Sequence, residues 1–308
     1  MSRTLVTVIC NRDMYQVELL CRTMYKYLKR CRVVFIFNEN REESSKLHKW
    51  FLQTCAPHLK NFQVSYYSKY DFWSEKDENH LTELELEGWV DQQVLKLLVC
   101  EKIKTEHYVT FDAKNFFINH TYIEEIAQIK PAITDWCEPI LQNWIINCLE
   151  TFNLDIPEKP IRLTQNTTPY VIRTQSAKEL VKYFGGNSFL FKWFSIEARK
   201  DRLSPAEFFL YETWTIKNGW RNLGDSVQNC IGFWEHMIVD EKMTQPDMVK
   251  YIRSLIRHFD VRVAGIHKGL RAYWSEQDLF FVLKRLGVTD CIPKHTPSPF
   301  KNRALLTK

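Results

Sequence analysis

Short β-rich apolar runs alternate with longer stretches of helical spacing through the first 120 residues. "TLVTVIC" (4–10) and "RVVFIFN" (32–38) predict buried strands. Between them "DMYQVELLCRTMYKYLKR" carries helical spacing, with Asp13 placed to cap its start. A second helix is predicted at about 41–55, then a strand at "FQVSYYS" (62–68). Residues 69–82 are polar and charged and predict a loop. "GWVDQQVLKLLVCEKI" (88–103) puts Val90, Val94, Leu97 and Leu98 on one apolar stripe, as a helix packed on a sheet requires. It leads into a fourth strand at "HYVTFDA".

The repeated strand–helix order predicts an α/β fold with a mixed, mostly parallel, Rossmann-like sheet flanked by helices. In such sheets ligands bind at the carboxyl ends of the strands. The second half is less regular and helix-rich. Helices are predicted at 139–152, 176–184 and 204–218, a strand near "TPYVIRT" (168–174), and a helical region over 226–258. A strand at "DVRVAGIH" (260–267) precedes a helix at 275–287 that opens on Ser275 as N-cap. One domain over 1–290 and a mobile basic tail over 291–308 complete the expectation.

At 308 residues, with 45% hydrophobic and 26% charged residues, the chain has the composition of a soluble globular protein. No apolar run approaches the ~20 residues of a spanning helix. The start, "MSRTLVTVIC", reads as a first strand rather than a signal peptide. Nine scattered cysteines form no C-x-x-C pair, and they read as small buried hydrophobes in a reducing, cytoplasmic compartment. The formal charge is +5, yet Lys294, Lys301, Arg303 and Lys308 carry +4 of it after Cys291, leaving +1 for residues 1–290. That distribution argues against a nucleic-acid partner, which needs a basic stripe on the folded surface. G-x-S-x-G, Walker and G-x-G-x-x-G motifs are absent, which removes the usual support for hydrolase, kinase and dehydrogenase readings.

Four stretches carry candidate chemistry, and each has a plain alternative. In "HYVTFDAKNFFIN" (107–119), Asp112, Lys114 and Asn115 arrive at the mouth of a strand. A carboxylate there suits ribose hydroxyls or a metal, whereas the plain reading is an Asx-turn beside a solvated lysine. Gln92, Gln93 and Lys96 lie at helical spacing on the preceding helix, either bordering the same cleft or forming a solvated face. Ser204, Pro205 and Glu207 spell a capping box that explains Glu207 without chemistry. With Tyr211 one turn on, Glu207 is also a candidate general base. In "AGIHKG" (264–269), glycines flank His267 and Lys268 after a strand, fitting either an ordinary turn or a diphosphate contact.

Together, "GWVDQQVLKL", "YVTFDAKNFFI", "SPAEFFLYETW" and "GIHKG" make the chain resemble glycosyltransferases of the GT-A fold over roughly residues 4–285. More narrowly, it resembles a little-characterised glycosyltransferase-like family of bacteria and viruses with Q-Q-x-x-K followed by D-S/A-K-N. The resemblance implies a nucleotide-sugar-binding half over 1–119, an acceptor half over 120–290, a nucleotide-sugar donor and a glycan or other hydroxyl acceptor. In GT-A enzymes this strand end usually carries Asp-x-Asp, whose acids contact ribose and a divalent metal (Mn or Mg). Here Asp112 matches the first acid, and Lys114 stands where the second would be. The expectation is therefore that Lys114, with Lys96, His267 and Lys268, offsets diphosphate charge in the metal's place, or that Asp112 and His267 hold a weak metal site. Gln93 would contact the donor, and Glu207 would activate the acceptor hydroxyl in an inverting reaction. The altered motif also fits a non-catalytic nucleotide- or glycan-binding module.

Overall fold

Burial along the first strand sets the architecture. In β1 (Arg3–Ile9) Leu5 and Ile9 point to one side and Val6 and Val8 to the other, and all four are buried. A strand with no wet face must lie inside a sheet covered on both sides. The computed structural model describes residues 3–73, 88–126, 139–156, 168–187, 190, 193–194, 207–219, 230–234, 236–258 and 260–300.

β1 pairs in parallel with β2 (Arg32–Phe37) on one side and with β4 (His107–Thr110) on the other. β3 (Gln63–Ser68) extends the β2 edge in parallel, and β6 (Tyr170–Arg173) closes the β4 edge antiparallel. The order is β3-β2-β1-β4-β6, the mixed and mostly parallel sheet expected. α1 (Met14–Tyr27) and α2 (Arg41–Thr54) cover one face through Val17, Leu20, Met24, Leu47 and Phe51. α3 (Gly88–Leu98), α5 (Pro139–Thr151), α6 (Thr174–Tyr183) and α7 (Glu207–Lys217) cover the other. No helix among the described residues is long and apolar enough to cross a membrane.

A second sheet was not visible in the sequence. β5 (Asn115–Phe117) pairs antiparallel with β8 (Val263–Ile266), and β8 pairs in parallel with β7 (Cys230–Phe233). β7 falls inside the stretch expected to be helical, whose helices among the described residues are α8 (His236–Val239) and α9 (Gln245–His258). α4 (Ile123–Ile126) is a single turn after β5. α1 lies between the two sheets, giving Val17 and Leu20 to the first and Tyr15 and Leu19 to the core of the second.

Of the expected caps, one comes out differently and one as expected. Asp13 precedes α1 but caps nothing with its side chain, and its carboxylate accepts instead from the Cys10 thiol at 2.9 Å. Ser275 does cap α10 (Glu276–Arg285), in a reciprocal pairing with Asp278. Ser204, Pro205 and most of the expected 69–82 loop lie outside the described residues, as do Cys137 and Trp220. The other eight cysteines are free thiols.

As far as Phe300 the segment expected as a mobile tail is packed against the fold. Glu18, buried in α1, accepts from the Lys294 backbone N–H (3.0 Å) and the Thr296 hydroxyl (2.6 Å) and is paired with Arg22. Cys291 and Phe300 are buried in the core of the second sheet. Residues 301–308 lie outside the described residues.

Candidate active site

The sheet order places the site. β1 has β2 on one side and β4 on the other, so the chain's progress across the sheet reverses between β1 and β4. Loops leaving two such strands diverge and open a crevice at their carboxyl ends. Arg12, Asp13 and Gln16 follow β1 and Asp112 follows β4, and these four line a cavity of about 280 Å³ there.

The turn after β4 fixes the motif. Phe111 continues the ladder by donating its N–H to the Val6 carbonyl (2.8 Å), and its ring is fully buried. Asp112 gives its N–H to the Thr168 hydroxyl (3.3 Å), and the Asn115 N–H closes back on the Asp112 carbonyl (2.9 Å). At Lys114 the chain passes to the second sheet, its carbonyl accepting from Ile266 N–H (3.1 Å). The motif thus bridges the two sheets, which leaves little of the plain Asx-turn reading.

Lys96 reaches the same point from α3. Its ammonium lies 2.8 Å from Asp112 Oδ1 and 2.7 Å from Glu207 Oε1, while the Lys114 ammonium lies 3.2 Å from Asp112 Oδ2. Lys96 and Glu207 are almost wholly buried, so two acids and two bases form a charge-balanced chain that water barely screens. Burial opposes the charge on Asp112, but Lys96 and Lys114 outweigh it and hold the carboxyl well below the usual range. Glu207 goes the other way: burial outweighs Lys96 and pushes its carboxyl up. Burial also opposes the charge on Lys96, yet the two carboxylates raise it, so it is a fixed cation. The solvated-face alternative for this stripe is overturned, since Gln93 and Lys96 are each 4% exposed. Gln93 Oε1 accepts from the Glu207 backbone N–H (3.2 Å) and holds the start of α7 against α3.

His267 and Lys268 complete the rim from the end of β8. His267 N–H bonds the Phe233 carbonyl (2.9 Å), and its Nδ1 accepts from Gly269 N–H (3.3 Å). An Nδ1 that accepts leaves the proton of a neutral imidazole on Nε2, making that nitrogen a donor. Trp234 stacks on the imidazole (centroids 4.8 Å, 29°) and carries the Lys114 ammonium 4.6 Å from its ring.

Of the residues expected at the site, Gln92, Gln93, Lys96, Asp112, Lys114, Glu207, His267 and Lys268 line this one cavity. Tyr211 does not. It is buried in the core, its hydroxyl accepts from the Arg173 backbone N–H (2.9 Å), and burial pushes that hydroxyl up to about 12. Asn115 lines a smaller neighbouring cavity of about 170 Å³ and donates its amide to the Thr168 hydroxyl (2.7 Å). The expected role of Lys96 also changes, because its ammonium is committed to two carboxylates. Arg12, Lys114 and Lys268 are the other cations of the lining.

Sequence reasoning missed Arg12, Asp13, Gln16, Trp144, Phe208 and Trp234. For the first three a signal existed, since they follow the carboxyl end of the first predicted strand, where ligands bind in such sheets. Trp144 and Trp234 had none. A larger groove of about 510 Å³, lined by Lys29, Arg30, Lys60 and His120 among others, sits by the loops before β2 and β3. It holds cations and aromatics but no carboxylate, so it lacks the acid–base pair of the first cavity.

A divalent metal does not fit the donor set. Both oxygens of Asp112 face ammonium groups, His267 presents a donor nitrogen, and no three His, Cys, Asp or Glu side chains cluster among the described residues. The expected Asp112–His267 metal site therefore lacks ligands.

The chain belongs to the DUF6492 family, a family of unknown function, whose model matches residues 5–255. No curated protein matches it in sequence. Among solved structures it is similar to the apo form of mouse xyloside xylosyltransferase 1, at 10% identity and a TM-score of 0.47, covering 87% of this chain and 99% of that one. It is also similar to the apo structure of the WbbM bifunctional glycosyltransferase, at 10% identity and a TM-score of 0.48, covering 92% of this chain and 49% of that one.

Proposed function

We propose that the protein is a glycosyltransferase that moves a sugar from a nucleotide-diphosphate sugar to an acceptor hydroxyl, with side-chain cations in place of a metal on the leaving diphosphate. One observation carries the reading: an Asp-x-Lys turn at the switch point of a mostly parallel sheet, opening into a cavity lined by Arg12, Lys114 and Lys268. Asp112 is held ionised by its two lysines, and an ionised carboxylate accepts hydrogen bonds from ribose hydroxyls.

The reaction forms a bond from the acceptor oxygen to the anomeric carbon as the bond from that carbon to the diphosphate breaks. The electron pair leaves with the diphosphate, and Lys114, Arg12 and the Nε2–H of His267 supply positive potential where that charge develops. The acceptor's proton passes to Glu207. Its burial raises its proton affinity toward what a base needs, and Lys96 keeps its carboxylate fixed.

Incubation with a panel of nucleotide sugars tests this reading, with nucleoside diphosphate release as the readout. At least one donor should be turned over by wild type, and Asp112→Ala should reduce the rate by ~10²–10³-fold. No turnover of any donor, or unchanged turnover in Asp112→Ala, would overturn it.

A further inference from the structure

The cavity of about 170 Å³ is a separate compartment that meets the main one along Lys114, Trp234 and His267, which line both. Its character is different. The main cavity mixes Arg12, Lys96, Lys114 and Lys268 with Asp13, Asp112 and Glu207. The compartment's lining has Lys114 at the junction and no carboxylate, and its other polar groups include the Thr168 and Tyr251 hydroxyls and the Asn115 amide. We infer that this compartment is a subsite for one neutral, hydroxyl-bearing ring, and that Gly232 and Gly265 set its shape.

Both glycines line it, and they are direct partners across the parallel β7–β8 ladder, so its wall is bare backbone at that point. Neither needs a glycine for its backbone angles, since neither lies in the left-handed region. What each permits is close approach. A Cβ on Gly232 would run into the Trp234 indole nitrogen, and one on Gly265 would run into the Asn115 side-chain oxygen. Neither neighbour can yield cheaply. The indole is stacked on His267, and the Asn115 amide is 1% exposed and bonded to Thr168. The two glycines are therefore positioning residues for the two side chains that wall the compartment.

Size and charge then select the occupant. At about 170 Å³ against about 280 Å³ for the main cavity, the compartment suits a single ring better than a whole nucleotide. A charged ring would leave its charge without a carboxylate or further cation among these walls, whereas a neutral polyol finds hydroxyls, an amide and an indole edge. Lys114 stands where the compartment meets the charged cavity, which is where the bond between a neutral ring and a diphosphate would lie. This assignment of the ring as the transferred sugar rests on the glycosyltransferase reading above.

The test compares nucleoside diphosphates with their hexose conjugates by calorimetry in the presence of chelator. In wild type, at least one conjugate should bind about tenfold tighter than its bare diphosphate. In Gly265→Ala the advantage should vanish while affinity for the bare diphosphate holds, and in Gly232→Ala, which also displaces the indole beside Lys114 and His267, the advantage should vanish whatever happens to the bare diphosphate. Trp234→Ala, which removes the shared wall without crowding the sheet, should lose the advantage too and covers the case in which a glycine variant misfolds. A conjugate advantage untouched in the folded variants, or absent from wild type, overturns the inference. Should no nucleotide bind at all, the glycosyltransferase reading fails and free monosaccharides become the probe, followed by the Trp234 indole resonance. A shift in wild type that is lost in the glycine variants still supports the ring subsite, and no shift with any sugar sinks it.

Discussion

At Lys96 one ammonium serves two carboxylates, Asp112 at 2.8 Å and Glu207 at 2.7 Å, and the two acids respond in opposite directions. Asp112 is held below its ordinary range, so its charge stabilises the fold above the usual ~3.9 and that contribution is lost as pH falls through the range below it. Glu207 is pushed up, so its ionisation costs stability once pH rises past the usual ~4.3. Asp112→Asn is therefore expected to lower the melting temperature at pH 7 more than Glu207→Gln, with the gap narrowing toward pH 3. Thermal unfolding of both variants across that range checks the signs, and an equal or reversed gap would contradict them. Asp112, Lys114 and the Gln93–Lys96 stripe were legible because a helix feeding directly into a strand must border that strand's end. The Lys96–Glu207 pair joins residues 111 apart, and nothing local in the chain announces it. Tyr211 shows the reverse case, where proximity along a helix suggested a site but the helix turns that side chain to the core.

The first sheet was legible because β1, β2 and β3 are six or seven residues long, β4 and β6, four residues each, lie within longer runs of strand character, and its helices carry apolar stripes. Of the second sheet only β8 was legible, inside the strand expected at 260–267, while β5 and β7, three and four residues long, were not. Those two runs leave no period to read, and each is a strand through its pairing with β8. The segment after Cys291 was misread for a related reason. Its charge is conspicuous, whereas its anchors are single residues: Phe300 in the second core, and Thr296 and the Lys294 N–H on the buried Glu18. Phe300 is 1% exposed, so Phe300→Ala should cost about 3–5 kcal/mol of unfolding free energy. Urea denaturation measures this directly, and a loss below about 0.5 kcal/mol, the scale of a surface change, would mean the segment is not part of the fold.

On the scale of the whole molecule, function follows from how the two sheets meet. The first sheet supplies the switch-point crevice, with Arg12 and Asp13 after β1 and Asp112 after β4. The second supplies the opposite wall, with Trp234 after β7 and His267 after β8, and Lys114 starts the chain's passage from one to the other. This arrangement gathers cations around a carboxylate each of whose oxygens already faces an ammonium group. On the proposed reading, these side chains take the place of a metal at the leaving diphosphate. The most direct measurement is turnover of the best nucleotide-sugar donor with and without chelator, in wild type and in Lys114→Gln. The expected result is a wild-type rate unchanged by chelator and a rate ~10²–10³-fold lower in Lys114→Gln. A wild-type rate abolished by chelator and restored by Mn²⁺, or a Lys114→Gln variant as fast as wild type, would contradict the account.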